Sequence, residues 1–419
     1  MDLEQRFSFA DRMIGAVFLA SQQRGAFHAR MSGRHFSWRF RPGSNVLPAD
    51  GESERTEWRC GRRLSMKPGR IAPPWIATIR RKPVPLRAED LSRREIWPEF
   101  GESLCVIEAE APGLRLADWT AGRTEELMEL ATRHGAVLLR GFSLTDVQDF
   151  EKCVENTCGA ALEYRFRASP RTEIGHNVYT ATDYPADQSI FPHNEHAYSP
   201  MCPNYLVFFC QTPPLQGGET PIGDNRWITS AIDPAVKSEF LRRGVLYVRN
   251  YGAGFGLPWQ TVFQTNDPTD VERYCASIGV EAEWVSEGRL RTRQAGPAMI
   301  RHPRTGDEIW FNHATFFHVT TLPPVVRKSL QAEFAEQDLP TQTYYGDGAP
   351  IEPESLEHLR GVYRGAMRMF TWRANDVLVL DNILAVHART PFSGLRRVLV
   401  AMGKAFRPHD WAIEWRENA

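Results

Sequence analysis

Hydrophobic positions in the C-terminal part of the chain fall in short runs separated by turn residues, a pattern typical of β-strands. Residues 377–380 are apolar, and a turn follows at Asp381-Asn382. Ala385 and Val386 are again apolar and are followed by His387. A longer run, residues 396–402, begins with two arginines. Because strands dominate this end of the chain, the pattern favours two packed β-sheets over a parallel α/β sheet.

Helices and strands alternate in the front of the folded region. Residues 124–134 have a helical period, with Gly135 at the expected C-terminal stop, and residues 136–142 then read as a buried strand. Either Thr145 or Asp146 can cap a second helix through residues 150–154. Further predicted strands are 105–108, 205–210, 245–248, 280–285 and 290–292. Further helices are predicted from Trp227 to near Gly244 and over 270–278, 325–334 and 351–367.

The first 72 residues differ from the rest. They are rich in arginine and are interrupted by Gly, Ser and Pro, so we treat residues 1–72 as an N-terminal extension. One interpretation is a basic contact surface or dimerisation arm; the other is a poorly ordered extension, or sequence upstream of a start at Met66. Residues 73–419 form the predicted folded domain, with residues 255–375 as an insertion within it.

Composition narrows the class of protein. The chain has 419 residues, 42% of them hydrophobic, and a net charge of −1, so no basic excess predicts a nucleic-acid partner. The seven cysteines form no Cys-x-x-Cys pair, which favours reduced thiols in a cytoplasmic protein. No apolar run reaches the roughly 18 residues that a membrane helix needs, so no membrane association is predicted.

The strongest candidate chemistry lies in His193-Asn194-Glu195. In an extended segment, residues i and i+2 share a face, so His193 and Glu195 would converge on one point. A further histidine would complete the two-His-one-carboxylate set that binds non-haem iron(II). A lone His-x-Glu is weak evidence, but Thr220 and His387 add to it. A metal on His313 and His318 is less plausible, since residues five apart do not share a helical face; these, like His196, are predicted to line a pocket or the core.

The order of several longer motifs is similar to that in a known family. They are residues 178–190, then His193-Asn194-Glu195, Gly217-Gly218-Glu219-Thr220, residues 248–252, residues 344–348 and residues 387–402. Residues 73–406 thereby resemble the iron(II)/2-oxoglutarate-dependent oxygenases of the taurine dioxygenase and clavaminate synthase group. The resemblance is greatest to the branch of the syringomycin-pathway aspartyl β-hydroxylase. One departure is Ala388, where that branch usually has Gly.

The resemblance implies a fold and a site. The fold would be mostly β with helical insertions, a clavaminate synthase-like double-stranded β-helix (jelly roll). His193, Glu195 and His387 would hold iron(II). Thr220 and Arg397 would hold the distal carboxylate of 2-oxoglutarate. Because strand neighbours point to opposite faces, only one of Arg396 and Arg397 can face the site, and matching to the family selects Arg397.

The implied activity is O2-dependent hydroxylation, desaturation or epoxidation of an amino acid or amino-acid-derived metabolite in natural-product biosynthesis. Glu195 favours hydroxylation, because related halogenases lack this carboxylate. The substrate would be free or tethered to a carrier protein, and a homo-oligomer is left open. Arg249, Arg293 and Asn312 are candidates to pair a substrate carboxylate, although ordinary structural pairing also explains each. The alternative is a non-catalytic jelly-roll protein that binds a metal or ligand. Thr220 and Arg397 argue against it, because a protein that only binds a metal has no need of residues that hold 2-oxoglutarate.

Overall fold

The computed structural model describes residues 91–163, 166–252 and 256–408. The predicted extension, residues 1–72, lies outside these ranges. In the described part of the chain, the strands are β1 Ser92–Ile96, β2 Cys105–Ala109, β3 Ala136–Arg140, β4 Glu173–Gly175, β5 Val178–Thr180, β6 Ile190–His193, β7 Cys202–Thr212, β8 Gln216–Gly217, β9 Ile222–Asp224, β10 Val245–Tyr251, β11 Glu281–Ser286, β12 Arg289–Gly296, β13 Met299–Arg301, β14 Glu308–Trp310, β15 Thr341–Tyr345, β16 Val377–Asp381, β17 Ala385–Arg389, β18 Phe392–Ser393 and β19 Arg397–Phe406.

The helices of the same ranges are short and lie mostly outside the sheets. They are α1 Leu116–Thr120, α2 Thr124–His134, α3 Val147–Cys158, α4 Asn225–Ala231, α5 Pro234–Arg243, α6 Trp259–Phe263, α7 Pro268–Ser277, α8 Pro324–Glu333 and α9 Pro353–Ala366. No helix of these residues is both long and apolar enough to cross a lipid bilayer.

Eight strands form the main sheet, in the order β1-β2-β3-β16-β7-β19-β5-β4. Strands β16, β7 and β19 lie at its centre and pair antiparallel. Both faces of these strands are buried, which explains why their sequences are continuous apolar runs.

The period of two along each strand divides the core of the sheet into two layers. Phe209 and Leu399 point to the layer that packs under α1, α2 and α3. Phe208 and Val400 point to the opposite layer, which also contains Ile222 of β9. This second layer faces the short sheet β6-β17-β9, and the two facing sheets form the predicted double-stranded β-helix.

A second sheet of four strands lies in the middle region of the chain, with helices between its strands in the sequence. Its order is β11-β12-β10-β15, with every neighbouring pair antiparallel. Tyr247 and Tyr251 of β10 pack with Val271 of α7 and Leu356 of α9 in one large core cluster. The sheet and the helices of the middle region therefore share one hydrophobic core.

The predicted helix boundaries are largely confirmed, with one instructive difference. Helix α2 spans the predicted residues and ends at Gly135, which has a φ of 78°. Asp146, rather than Thr145, caps α3 by accepting from the Asp149 amide. The single helix predicted from Trp227 to near Gly244 is two helices, because α4 ends at Ala231 and α5 begins at Pro234 with Asp233 as its cap.

A buried ion pair joins two neighbouring strands of the main sheet. Arg140 at the end of β3 donates from Nε and Nη2 to both carboxylate oxygens of Asp376, at 3.0 and 2.6 Å. Arg140 also donates to the Thr371 carbonyl. Asp376 has no exposed surface, so its charge depends on this arginine.

Replacing this arginine is expected to destabilise the fold. Arg140→Met leaves the Asp376 carboxylate buried without a cation, and the free energy of unfolding should fall by about 3–5 kcal/mol. Chemical denaturation measures this change. The matched control is Arg93→Met, which removes an exposed pair with Glu108 and should cost less than about 1 kcal/mol. Equal losses in the two variants would contradict the assignment.

Candidate metal centre and its pocket

Two histidines face each other across the pairing of β6 with β17. His193 and His387 are directly opposite in the antiparallel register, and their ring centroids are 4.4 Å apart. Directly opposite residues share a face of the sheet, so the pairing itself brings the two imidazoles together. Between His387 and Arg389 the partner strand advances by three residues instead of two, which marks a bulge near Pro192.

Glu195 completes the group. Strand β6 ends at His193 and a turn begins at Glu195, so the segment is less extended than the sequence predicts. Even so, one ligand atom from each of His193, Glu195 and His387 lies within 4.8 Å of the other two. Arg171 donates to a Glu195 carboxylate oxygen at 2.6 Å and fixes its orientation. The structure thus brings the three predicted metal-binding side chains to one point.

Buried asparagines hold these segments in register. Asn382 accepts from the Glu195 amide at 2.8 Å and donates to the carbonyls of Glu195 and Pro203. Asn194 donates to the Asn382 and Ala385 carbonyls and accepts from Asn225. Both asparagines have no exposed surface. Since a buried amide is stable only when it is hydrogen-bonded, this network specifies one arrangement of the turn that carries Glu195.

The protonation states suit a divalent metal. His193 Nδ1 lies 2.9 Å from the Phe191 carbonyl, so it donates there and leaves Nε2 as an electron-pair donor. His387 Nδ1 is buried with no hydrogen-bond partner in the described residues. Burial lowers the pKa of His193 and places that of His387 well below the ordinary value. Both imidazoles are therefore neutral at pH 7.

The carboxylate is ionised. Burial alone would raise the pKa of Glu195, but the charge of Arg171 outweighs it and the pKa lies below its ordinary value. Two neutral imidazoles and one carboxylate on one point are the donor set of a non-haem iron(II) site. The residues present therefore fit iron.

The other histidines have different roles. His313 Nε2 lies 2.7 Å from the Asn194 carbonyl and donates to it, and burial lowers the pKa of His313 to about 3. His318 caps the 3₁₀ turn Val319–Thr321 by accepting from the Thr320 amide. His196 is buried beside Glu195 with a positive φ of 58°. None of the three joins the metal-binding group found among the described residues.

Thr220 lies in the layer between the sheets. It is buried, and its hydroxyl oxygen accepts from Trp372 Nε1 at 3.1 Å. Because an indole N–H only donates, the Thr220 hydroxyl proton remains available to an acceptor such as a carboxylate. Trp372 was not anticipated from the sequence.

The two adjacent arginines at the start of β19 lie on opposite faces. Arg397 pairs with Thr212 and Val398 with Cys210, so the extra residue of this irregular pairing lies in β7 and β19 alternates regularly. Arg396 therefore shares the face of Val398, which points into the layer of Phe208. The Phe208 ring in turn lies 5.3 Å from that of His387.

The exposure of the two arginine side chains agrees with this assignment of faces. Arg397 is exposed, whereas Arg396 is half-buried and donates from Nε to the Gly218 carbonyl at 2.9 Å. Burial and the charge of Arg389 lower the pKa of Arg396 to about 10, still charged at pH 7. The structure therefore places Arg396, and not the predicted Arg397, on the face towards the metal-binding group.

A cavity of about 410 Å³ opens beside the metal-binding residues. His193 and Glu195 form part of its lining, and the Phe316 ring stacks on His193 with centroids 4.5 Å apart. Arg249 lines the same cavity. The other two candidates for pairing a substrate carboxylate are already paired: Arg293 with Glu283 at 2.7 Å, and Asn312 with the Ala298 carbonyl.

Comparison with known proteins identifies the class. The family model described as "Taurine catabolism dioxygenase TauD, TfdA family" matches residues 99–402. The fold and the match together define a dioxygenase. The chain belongs to the TauD, TfdA family, whose members are iron(II)- and 2-oxoglutarate-dependent oxygenases that use O2. This membership supports the enzyme interpretation over a non-catalytic binding protein.

The proteins similar to this chain include two relatives by sequence and one solved structure. The dapdiamide synthesis protein DdaC of Enterobacter agglomerans is 40% identical over 274 residues, which cover 65% of this chain and 83% of that protein. A clavaminate synthase-like protein of Arabidopsis thaliana is 30% identical over 289 residues, which cover 66% and 84%. Among solved structures, PvcB of Pseudomonas aeruginosa has a TM-score of 0.43 and 19% identity, covering 72% of this chain and 85% of that one.

The asparagine network generates a prediction. Asn382→Ala removes the partners of the Glu195 amide and of two carbonyls, so the free energy of unfolding should fall by about 3 kcal/mol. Affinity for iron(II), measured anaerobically on the folded variant, should fall about 10- to 100-fold. The control Asn266→Ala lies in an exposed loop and should change neither. Wild-type metal affinity in Asn382→Ala would show that the network does not position Glu195.

Proposed function

We propose that this chain oxidises an unactivated C–H bond of an amino acid or amino-acid-derived metabolite, with hydroxylation as the main outcome. One observation carries the assignment of the site: His193, Glu195 and His387 converge with their ligand atoms within 4.8 Å, inside the segment that matches the dioxygenase family. Desaturation and epoxidation are further outcomes of the same chemistry. The pathway is proposed to be natural-product biosynthesis, because DdaC is a dapdiamide synthesis protein.

The three residues are proposed to hold iron(II) through His193 Nε2, one imidazole nitrogen of His387 and the Glu195 carboxylate. When bound, iron(II) with 2-oxoglutarate supplies the oxidant by reductively activating O2. The protein positions this group: the pairing of β6 with β17 places the histidines, and Arg171 holds Glu195. Three ligands on one face leave the other positions free for small molecules.

Thr220 and Arg396 are proposed to bind the distal carboxylate of 2-oxoglutarate. Both lie in the layer between the sheets, and neither is engaged by a carboxylate of the described residues. The guanidinium offers a planar set of donors and the hydroxyl adds one hydrogen bond. Trp372 orients the hydroxyl through its indole N–H.

The aromatic walls are proposed to keep water from the reacting centre. Phe191, Phe316 and Phe317 line the cavity, and Phe316 covers one face of His193. A dry cavity strengthens the polar contacts inside it and protects a reactive centre from side reactions. We propose that residues 255–375 are an insertion of the oxygenase domain, residues 73–419, that completes this wall, since Phe316 and Phe317 lie within it.

The cellular setting follows from thiol chemistry and remains part of the proposal. The cysteines of the described residues, Cys105, Cys153, Cys158, Cys202, Cys210 and Cys275, are all buried and free. Free buried thiols suit a reducing compartment, so we place the protein in the cytoplasm. Its partner is a small molecule, free or bound to a carrier protein, and self-association remains open.

Removing one histidine tests the site. His193→Ala should abolish stoichiometric iron(II) binding and the release of succinate from 2-oxoglutarate, because a facial site with two ligands binds iron weakly. Anaerobic iron titration and a succinate assay measure these losses. His176→Ala, on an exposed residue, is the control and should retain both. Near-normal iron binding by His193→Ala would remove this residue from the site.

The two arginines can be separated by kinetics. Arg396→Leu should raise the KM for 2-oxoglutarate about 10- to 100-fold, as expected when a charge-assisted hydrogen bond is lost. Arg397→Leu should leave this KM nearly unchanged, because its side chain is exposed. Steady-state kinetics at varied 2-oxoglutarate measure both. The opposite pattern would restore Arg397 as the carboxylate-binding residue.

A further inference from the structure

Arg249 occupies an unusual position in the cavity. It lies on β10 between Tyr247 and Tyr251, is only 6% exposed, and lines the same cavity as His193 and Glu195. Its guanidinium carbon lies 4.9–5.6 Å from the centres of four aromatic rings, those of Phe166, Tyr198, Tyr251 and Phe317. The strand and the rings hold the side chain in one orientation.

The charge of Arg249 is not balanced by the described residues. Its Nη2 donates to the Arg167 carbonyl at 2.8 Å, but Nε and Nη1 are buried without a hydrogen-bond partner. No carboxylate of the described residues lies within ion-pair distance of it. A buried guanidinium with unsatisfied donors is costly to the fold, and a ligand that accepts from these donors would offset that cost.

Neighbouring arginines show the ordinary solution. Arg291, on the adjacent strand β12, is equally buried but donates to Asp338 and Asn250. Arg293 of the same strand pairs with Glu281 and Glu283. Arg249 thus differs from both in lacking an acidic partner, although the same sheet supplies acids to the others.

The charged residues that line the cavity also favour an anionic ligand. Its charged lining residues are Arg249, Arg364 near the surface, and Glu195, which already pairs with Arg171. The cavity therefore offers a net positive environment and no second carboxylate to bind a cation. An anionic group entering it finds one buried partner, which is Arg249.

We propose that Arg249 binds a carboxylate of the substrate and selects it over the corresponding amide or ester. This inference rests on the proposed function, because it assigns the substrate class of that same cavity. Nε and Nη1 can each donate a charge-assisted hydrogen bond to a carboxylate oxygen, and the carboxylate also balances the charge of the guanidinium. An amide or ester oxygen can accept the same hydrogen bond but is neutral, so it leaves the charge unpaired.

The assignment limits how a carrier protein can present the substrate. Attachment as a thioester consumes the carboxyl group through which an amino acid is linked. A carrier-bound substrate would therefore need a second carboxylate, on its side chain, to engage Arg249. Free amino acids and acidic carrier-bound residues are compatible with the cavity, whereas carrier-bound neutral residues are not.

The test compares three proteins, wild type, Arg249→Met and Arg293→Met, each loaded anaerobically with iron(II) and 2-oxoglutarate. The probes are the proteinogenic L-amino acids, each beside its α-carboxamide, and for aspartate and glutamate also the side-chain amides asparagine and glutamine. The readouts are the shift in Tm on adding a probe and the visible absorption band of the iron–2-oxoglutarate complex. The Tm of each protein without any probe is a further readout.

The proposal predicts that at least one acid binds wild type and Arg293→Met, that its amide does not, and that Arg249→Met binds the acid about 30-fold more weakly or worse. The absorption band should persist in Arg249→Met. Equal binding of acid and amide, or unchanged affinity in Arg249→Met, would overturn it. Absence of the band in wild type would instead count against the proposed function.

Stability decides the case in which no probe binds. Methionine fills a similar volume without a charge, so the proposal predicts that probe-free Arg249→Met has a Tm equal to or above that of wild type. A structural role for the aromatic cage predicts a clear fall in Tm. That fall, without any acid-specific binding to wild type, would overturn the proposal.

Discussion

The candidate site depends on one constraint, the register between strands β6 and β17. In that register His193 stands opposite His387, although 194 residues separate them along the chain (387 − 193). A shift of one residue would turn His387 to the other face of its strand and move it away from the pair. Glu195 depends on the same pairing, because it lies two residues after the end of β6.

The buried polar network explains why this register is unique. Asn194, Asn225 and Asn382 join the turn after β6 to the turn after β16, and the bonds leave few alternatives. Asp381, beside Asn382, accepts from the Ile383 and Leu384 amides and pairs with His302 at 3.0 Å. An apolar core would tolerate small shifts in register, whereas buried side-chain amides that bond the backbone of both turns do not. Rigidity at this point keeps three ligands close without a bond between them.

Much of the fold was predictable from the sequence because local signals and burial agree. The apolar runs of β7, β16 and β19 are buried on both faces, and the stop at Gly135 coincides with a left-handed backbone. Ala388, where Gly is usual, lies within β17, where an alanine imposes no strain. The separation of α4 from α5 was missed because the apolar period continues across Asp233-Pro234.

The site residues that belong to a sequence motif were predictable. Those whose position depends on tertiary packing were not. His193, Glu195 and His387 have recognisable spacing and company. The choice between Arg396 and Arg397 depends on which face of β19 is turned to the site, and the continuous apolar run after Arg397 is buried on both faces, so it does not mark that face. Arg171 and Trp372 act through contacts between distant segments, and no local pattern marks them.

The central claim is that two strands place three ligands around one metal ion. Crystals grown anaerobically with iron(II) and 2-oxoglutarate, with diffraction recorded at the iron absorption edge, test it most directly. The account predicts one anomalous peak about 2.0–2.2 Å from a nitrogen of His193, a nitrogen of His387 and a carboxylate oxygen of Glu195. A peak bound elsewhere, or a fully loaded protein in which His387 is not a ligand, would contradict it.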